Sequence, residues 1–333
     1  MARRKVFTEF KSLEEERIIN DINKQYKKKN IVLYLVAHRG VGKTSICKKI
    51  NKNYLIYNVS SFTKDDLLNG KWYSELLKLS KKCEDETCLL VFDDFDEFDV
   101  TMHEYVYDLL DKEKHIGNLI IPDNVNVLLC GNMEEYSNPL NILDFKLYSK
   151  IKKYEFKPGI IDYLAWANKN KINNVVKSYL NENPTDLIRD IKDNDYDYDY
   201  MYSLTPKNWS IRISNEINIS NLLKVDFNLD YYLDSKTKEK FMEYYERYIN
   251  TGIYDILNGK YDNVNDSDIS FITNALGASA YTLKELKNVL SFYNYINNKE
   301  YKDLFVNIWS SINRTKEDDD KLKEALRGDK SEK

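Results

Sequence analysis

Histidine is nearly missing from this chain of 333 residues: three copies stand far apart, and the four cysteines show no paired spacing. Those shortages leave no support for a zinc site. Cys47, Cys88 and Cys130 fall inside apolar helix or strand patterns, so buried thiols in a reducing compartment are expected. No apolar stretch is long enough to cross a bilayer. The first ten residues, Met1 to Phe10, lack the apolar run of a signal peptide, so no membrane and a cytoplasmic location are expected. Charge of one sign is not in large excess either. The formal net charge is -4, which indicates no global attraction to nucleic acid and leaves a local basic face open. Glycine (10) and proline (5) are scarce, while tyrosine (27) is abundant. That bias resembles translation of an AT-rich genome, and the tyrosine count alone gives no warrant for stacking on bases. What is present is enough apolar material, 42%, to bury a core, on a length that suits one large or two smaller domains.

The most informative segment is Ala37 to Thr44, A-H-R-G-V-G-K-T, directly after the apolar run Ile31 to Val36. A strand, a tight glycine turn and Lys-Thr opening a helix form the phosphate cradle of a P-loop. Gly40 and Gly42 let backbone N–H groups close on the phosphates, and the helix beginning near Lys43 points its positive end at the same anion. Arg39, Gly40, Val41, Gly42, Lys43, Thr44 and Ser45 are thus the expected nucleotide-binding residues. Lys43 would reach the β- and γ-phosphates, and Thr44 would hold Mg²⁺. Ala37 stands where the strict pattern has its first glycine, and a small residue still fits. The plainer alternative is a chance strand–turn–helix, which the context makes a poor competitor.

Strands are expected at the P-loop run, at Tyr54 to Val59, Thr87 to Phe92, Asn124 to Cys130 and Lys153 to Phe156. Helices are expected at Lys11 to Lys28, Lys43 to Asn51, Tyr73 to Lys81 and Thr101 to Asp111, with a turn region at Lys64 to Gly70. Strands alternating with helices after a P-loop predict a parallel α/β sheet flanked by helices, with ligands at the carboxyl ends of the strands. After Pro158 the pattern turns helical: Ile160 to Lys169, Ile172 to Leu180, Thr185 to Lys192, Lys236 to Ile249, Ser267 to Leu276, Leu283 to Tyr295 and Tyr301 to Ile312. Asp193 to Tyr202 is a biased acidic–aromatic stretch expected to be an exposed loop. The expected domains are a nucleotide-binding core over 1–160, a helical lid over 161–313 and a charged, disordered tail over 314–333.

The run Leu89 to Phe92 ends in Asp93 and Asp94. At a strand end downstream of a P-loop, Asp93 is placed to serve Mg²⁺ through water, and Asp94 to orient or deprotonate the attacking water. The plainer alternative is a helix cap. A GTPase would need Asn-Lys-x-Asp after a strand, whereas the strand ending at Cys130 continues as Gly131-Asn132-Met133-Glu134.

Taken together, these motifs resemble an AAA+ ATPase of the MoxR-like branch known from bacteria and bacteriophages. Val91 to Asp96 is similar to that family's apolar–Asp–Glu–apolar–Asp signature, Asp65 to Gly70 to its D-L-x-G element, and Tyr107 to Asn132 to its next signature. Leu204 to Trp209, L-T-P-K-N-W, resembles the lid's T-P-R-x-W. The resemblance implies that Asn132 is sensor 1, orienting the lytic water, and that Lys207 stands for the sensor 2 arginine. Leu147 to Ile151 is similar to Leu-x-x-Arg-Phe, which places Lys150 at the position that reaches a neighbouring subunit's γ-phosphate; a solvated lysine is its plainer alternative. His115, Asn118 and Ile121 fall on a hairpin that in the family faces a central pore, with a hairpin holding no ligand as the equal alternative.

Two departures bear on rate. Asp94 is one methylene shorter than the family's glutamate, and lysine offers no bidentate fork where the family has arginine. Arg212, one helical turn beyond Lys207, is a candidate to compensate. The resemblance implies ATP and Mg²⁺ as cofactors and slow ATP hydrolysis. It also implies a chaperone-like remodelling machine that forms a hexameric ring with copies of itself and acts on a partner protein. The rivals are a DNA-directed motor, for which no added basic module is seen, and a nucleotide-gated scaffold with little hydrolysis.

Overall fold

A computed structural model describes residues 14–27, 32–83, 86–110, 113–133, 151–189, 204–262 and 264–328. They divide into two compact units that meet in sequence between Pro158 and Gly159.

The first unit is built on a five-stranded, all-parallel sheet. Its strands are β1 (Leu33–Ala37), β2 (Tyr54–Asn58), β3 (Cys88–Asp93), β6 (Val125–Asn132) and β7 (Lys152–Phe156), in the order β2-β3-β6-β1-β7. β4 (His115–Ile116) and β5 (Leu119–Ile120) form a separate antiparallel hairpin. β1, and β3 up to Phe92, are continuous apolar runs because both faces of the sheet are covered there: every residue of β1 is buried. Alternate side chains go to opposite faces. Tyr34, Val36, Leu90, Phe92, Val127 and Leu129 join one core with Trp72 and Leu76 of α4 (Lys71–Lys82). On the other face lie α1 (Glu14–Tyr26) and α2 (Lys43–Ile50), which pack on each other. Tyr26 there donates from its hydroxyl to Val127 O at 3.0 Å.

Sequence and structure part in several places here. Lys64 to Gly70 is a helix, α3 (Lys64–Asn69), rather than a turn region. Thr63 and Asp66 form a reciprocal cap at its start, which supplies the missing partners of a short helix. Gly70 then caps α4, which begins at Lys71 and so ahead of the expected Tyr73. Val100–Leu110 winds as a 3-10 helix and not as an α-helix.

The second unit is helical: α5 (Ile160–Lys169), α6 (Asn174–Glu182), α7 (Ser214–Leu223), α8 (Ser235–Asn250), α9 (Ile253–Leu257), α10 (Ile269–Ser279), α11 (Leu283–Tyr295), α12 (Lys299–Ile312) and α13 (Lys316–Gly328). Its core gathers Tyr179, Trp209, Phe241, Phe271, Phe292 and Trp309. The helix expected over Thr185 to Lys192 is only a single 3-10 turn, Pro184–Asp186. Arg189 bridges Leu204 in extended pairing instead, and residues 190–192 lie outside the described part. The acidic–aromatic stretch 193–202 lies outside it as well. The disordered tail expected over 314–333 is corrected as far as residue 328 by α13, and residues 329–333 lie outside the described part. Thr315 and Asp318 cap that helix, Ala325 is buried, and Leu322 and Leu326 pack on the same core. No helix among the described residues is long and apolar enough to cross a membrane.

Candidate nucleotide site

The carboxyl ends of β1, β3 and β6 lie side by side, because β1 and β3 both pair with β6. That register brings the P-loop, Asp93, Asp94 and Asn132 to one edge, the place where open parallel sheets bind ligands. The loop after β1 turns through Gly40 and Gly42, whose φ values of 73° and 100° belong to the left-handed region. Gly42 ends the turn and no side chain caps the N-terminus of α2. An uncapped helix start behind a glycine turn is suited to an anion.

Two chains of contact run from this loop. Thr44 Oγ1 donates to Asp93 Oδ2 at 2.7 Å, joining the first turn of α2 to the end of β3. Lys43 Nζ donates to Asn132 Oδ1 at 2.7 Å, and Asn132 Nδ2 donates to Asp96 Oδ2 at 2.9 Å. Arg39 at the loop tip pairs with Glu97 at 2.6 Å.

Burial lowers the Lys43 ammonium pKa, and the carboxylates of Asp96, Asp93 and Asp94 oppose that shift. Asp94 is pushed the other way. Burial and the neighbouring Asp93 carboxylate raise its pKa, against the pull of Lys43 and a hydrogen bond from Asn58. A raised carboxylate pKa brings a base closer to the pH at which it must take a proton.

The Thr44–Asp93 pair fits Mg²⁺. Both are oxygen donors, they already lie within hydrogen-bond distance of each other, and Mg²⁺ takes one or two protein oxygens and keeps its waters. No group of three or more His, Cys, Asp or Glu suited to a metal occurs among the described residues.

The unit therefore assembles Arg39 to Ser45, Asp93, Asp94 and Asn132. Lys207 belongs to the other unit. It is exposed at the entry to a π-helical segment, Asn208–Ile213, anchored by the buried Trp209, and Arg212 on that segment is exposed too. Lys150 lies outside the described residues. Asn58 was not foreseen: it ends β2, the strand beside β3, and its Nδ2 donates to Asp94 Oδ2 at 2.6 Å. The sequence shows only that Asn58 lies at a strand end; that this strand runs beside β3 comes from the pairing.

No family model matches the chain, and no curated protein does. Remote solved structures align with it. A closed-state reconstruction of Hsp104 with ATPγS and FITC-casein is 14% identical, with a TM-score of 0.40, covering 69% of this chain and 50% of that one. This chain thus spans about half the length of that Hsp104 chain. A point mutant of Thermotoga maritima RuvB is 12% identical, with a TM-score of 0.39, covering 86% of this chain and 94% of that one. A second point mutant of the same RuvB is 14% identical, with a TM-score of 0.35, covering 84% and 91%. Similarity this remote says nothing about what the present chain binds or does.

Proposed function

We propose that this chain is an ATP-binding and ATP-hydrolysing AAA+ protein of the MoxR-like branch, working as a ring of six copies on a partner protein. The observation that carries the reading is the meeting of Lys43, Thr44, Asp93, Asp94 and Asn132 at one edge of a parallel sheet.

In this reading the glycine turn and the start of α2 wrap the phosphates, and Lys43 leaves Asn132 to meet the β- and γ-phosphates. Thr44 and Asp93 hold Mg²⁺, which supplies charge neutralisation on the phosphates when bound. Asp94 accepts a proton from the attacking water, and Asn132 orients that water. Lys207 acts from the lid, and Lys150 acts on a neighbour's nucleotide. Each brings a point charge without a fork, which keeps turnover slow.

One observation favours a second reading, a nucleotide-gated scaffold: the general-base carboxylate is short and already hydrogen-bonded to Asn58. Sedimentation at micromolar concentration, with and without a non-hydrolysable ATP analogue, tests the ring. The expected result is a closed oligomer driven or stabilised by the analogue, and monomer in both conditions contradicts it. Co-purification from the native source then identifies the partner protein.

A further inference from the structure

Donors and acceptors alternate along the buried row Lys43, Asn132, Asp96, and their order decides how Asn132 faces the site. Lys43 Nζ meets Asn132 Oδ1 at 2.7 Å, and Asn132 Nδ2 meets Asp96 Oδ2 at 2.9 Å. An ammonium only donates, and an ionised carboxylate only accepts. If the Asn132 amide turned over, its NH₂ would face the ammonium and its carbonyl would face the carboxylate, and both bonds would be lost. Lys43, Asn132 and Asp96 are 8%, 4% and 2% exposed, so water is poorly placed to replace either bond.

The backbone makes room for this arrangement. A Cβ on Gly131, the residue before Asn132, would stand 2.8 Å from Asp96 Oδ1 and 2.2 Å from the Tyr34 hydroxyl oxygen. A side chain at 131 would force the Asp96 carboxylate and the Tyr34 hydroxyl to move, and glycine leaves them in place against the end of β6.

We infer that Asp96 is a positioning residue that fixes the Asn132 amide with its oxygen toward the phosphate cradle, so that Asn132 serves the site as an acceptor. This role rests on the hydrolase reading above. Before nucleotide binds, that oxygen holds the Lys43 ammonium. When Lys43 turns to the phosphates, the oxygen is released to accept a hydrogen bond from the attacking water, whose other proton goes to Asp94. Asp96 itself does not touch the nucleotide; its charge also acts on Lys43 and Asp94, and the positioning effect is the part that runs through Asn132.

The test is a double-mutant cycle on the full chain: wild type, Asp96→Asn, Asn132→Ala and the double variant, with kcat and KM for Mg·ATP and a melting curve for each. Asparagine at 96 offers a donor as well as an acceptor and allows the Asn132 amide to turn. Asp96→Asn is expected to lower kcat about tenfold with KM held within about threefold. In the Asn132→Ala background the same substitution should change kcat by about threefold or less, since the residue it positions is gone and only its charge on Lys43 and Asp94 remains. A full, additive loss in both backgrounds overturns the inference, as does an unchanged kcat in Asp96→Asn. If Asp96→Asn fails to fold, the cycle is run with Asp96→Ser, whose hydroxyl also donates and accepts, and the same two outcomes support or overturn the inference. Wild type without turnover overturns the hydrolase reading and this inference with it, whereas wild-type turnover with additive losses overturns this inference alone.

Discussion

Asn58 donates from Nδ2 to Asp94 Oδ2 at 2.6 Å, tying the proposed water-activating carboxylate to the end of the neighbouring strand. The bond favours the ionised form of a carboxyl whose pKa is otherwise raised by burial and by Asp93. Asn58→Ala should therefore raise the Asp94 pKa further. The acid limb of the kcat–pH profile would move to higher pH, because the base is protonated sooner as pH falls. Profiles of wild type and Asn58→Ala over the acid range check this; coincident acid limbs contradict it.

Asp94 sits at φ 55°, in the left-handed region, where Asp and Asn are tolerated better than longer residues. This gives the short carboxylate a backbone reason. Asp94→Asn should fold normally and keep ATP while turnover falls by roughly 10²–10⁴. Asp94→Glu gains reach but sits less comfortably at that backbone, so its melting temperature should fall below that of wild type. Asp93→Asn should weaken the Mg²⁺-dependent part of ATP affinity, since Asp93 faces Thr44. ATP titrations with and without Mg²⁺, together with steady-state rates, separate the three variants.

The sheet was largely legible in the sequence, and the contacts across it were not. Continuous apolar runs such as Leu89 to Phe92 mark strands buried on both faces, and the Gly-Val-Gly-Lys-Thr turn fixes where the first strand ends. Linear pattern carries no strand order, however, so neither the Asn58–Asp94 bond nor the Asn132–Asp96 bond is visible in it. Each joins residues 36 apart in sequence through strand adjacency alone. The C-terminal helix was hidden differently. Its charges dominate the local composition, while Leu322, Ala325 and Leu326 mark a narrow apolar stripe at helical spacing. Lys150 and the stretch 193–202 lie outside the described residues.

That stripe supports a stability prediction. Ala325 is 1% exposed in the core of the helical unit. Ala325→Asp places a carboxylate there with no partner and should cost about 3 kcal/mol or more. Thermal or urea unfolding followed by circular dichroism checks it; a change within about 0.5 kcal/mol, as expected of an exposed site, would mean that α13 does not dock.

Lys177 gives a pH signature. Its buried ammonium donates to Asn168 Oδ1 at 2.8 Å and Ser279 O at 3.1 Å, with Glu285 acting from further off, and burial lowers its pKa from 10.5 to about 8. Between those two values the unfolded chain binds the proton that the folded chain has lost, so stability should rise with pH by about 1 kcal/mol per unit above pH 8. Above about pH 10 the trend reverses. Buried phenols such as Tyr163, Tyr179 and Tyr244 stay protonated in the fold and ionise when it opens. Lys177→Met should abolish the rise between about pH 8 and 10. Parallel slopes for wild type and variant in urea unfolding across that range contradict the assignment.

Binding and hydrolysis of ATP at the cradle formed by Gly40 to Thr44 are tested most directly by Mg²⁺-dependent release of phosphate from ATP. Wild type and Lys43→Ala are measured side by side, with a melting curve to show that both are folded. Turnover is expected in wild type, and in Lys43→Ala a loss of tight ATP binding with turnover at background. A folded Lys43→Ala that binds and hydrolyses ATP as wild type does would contradict it.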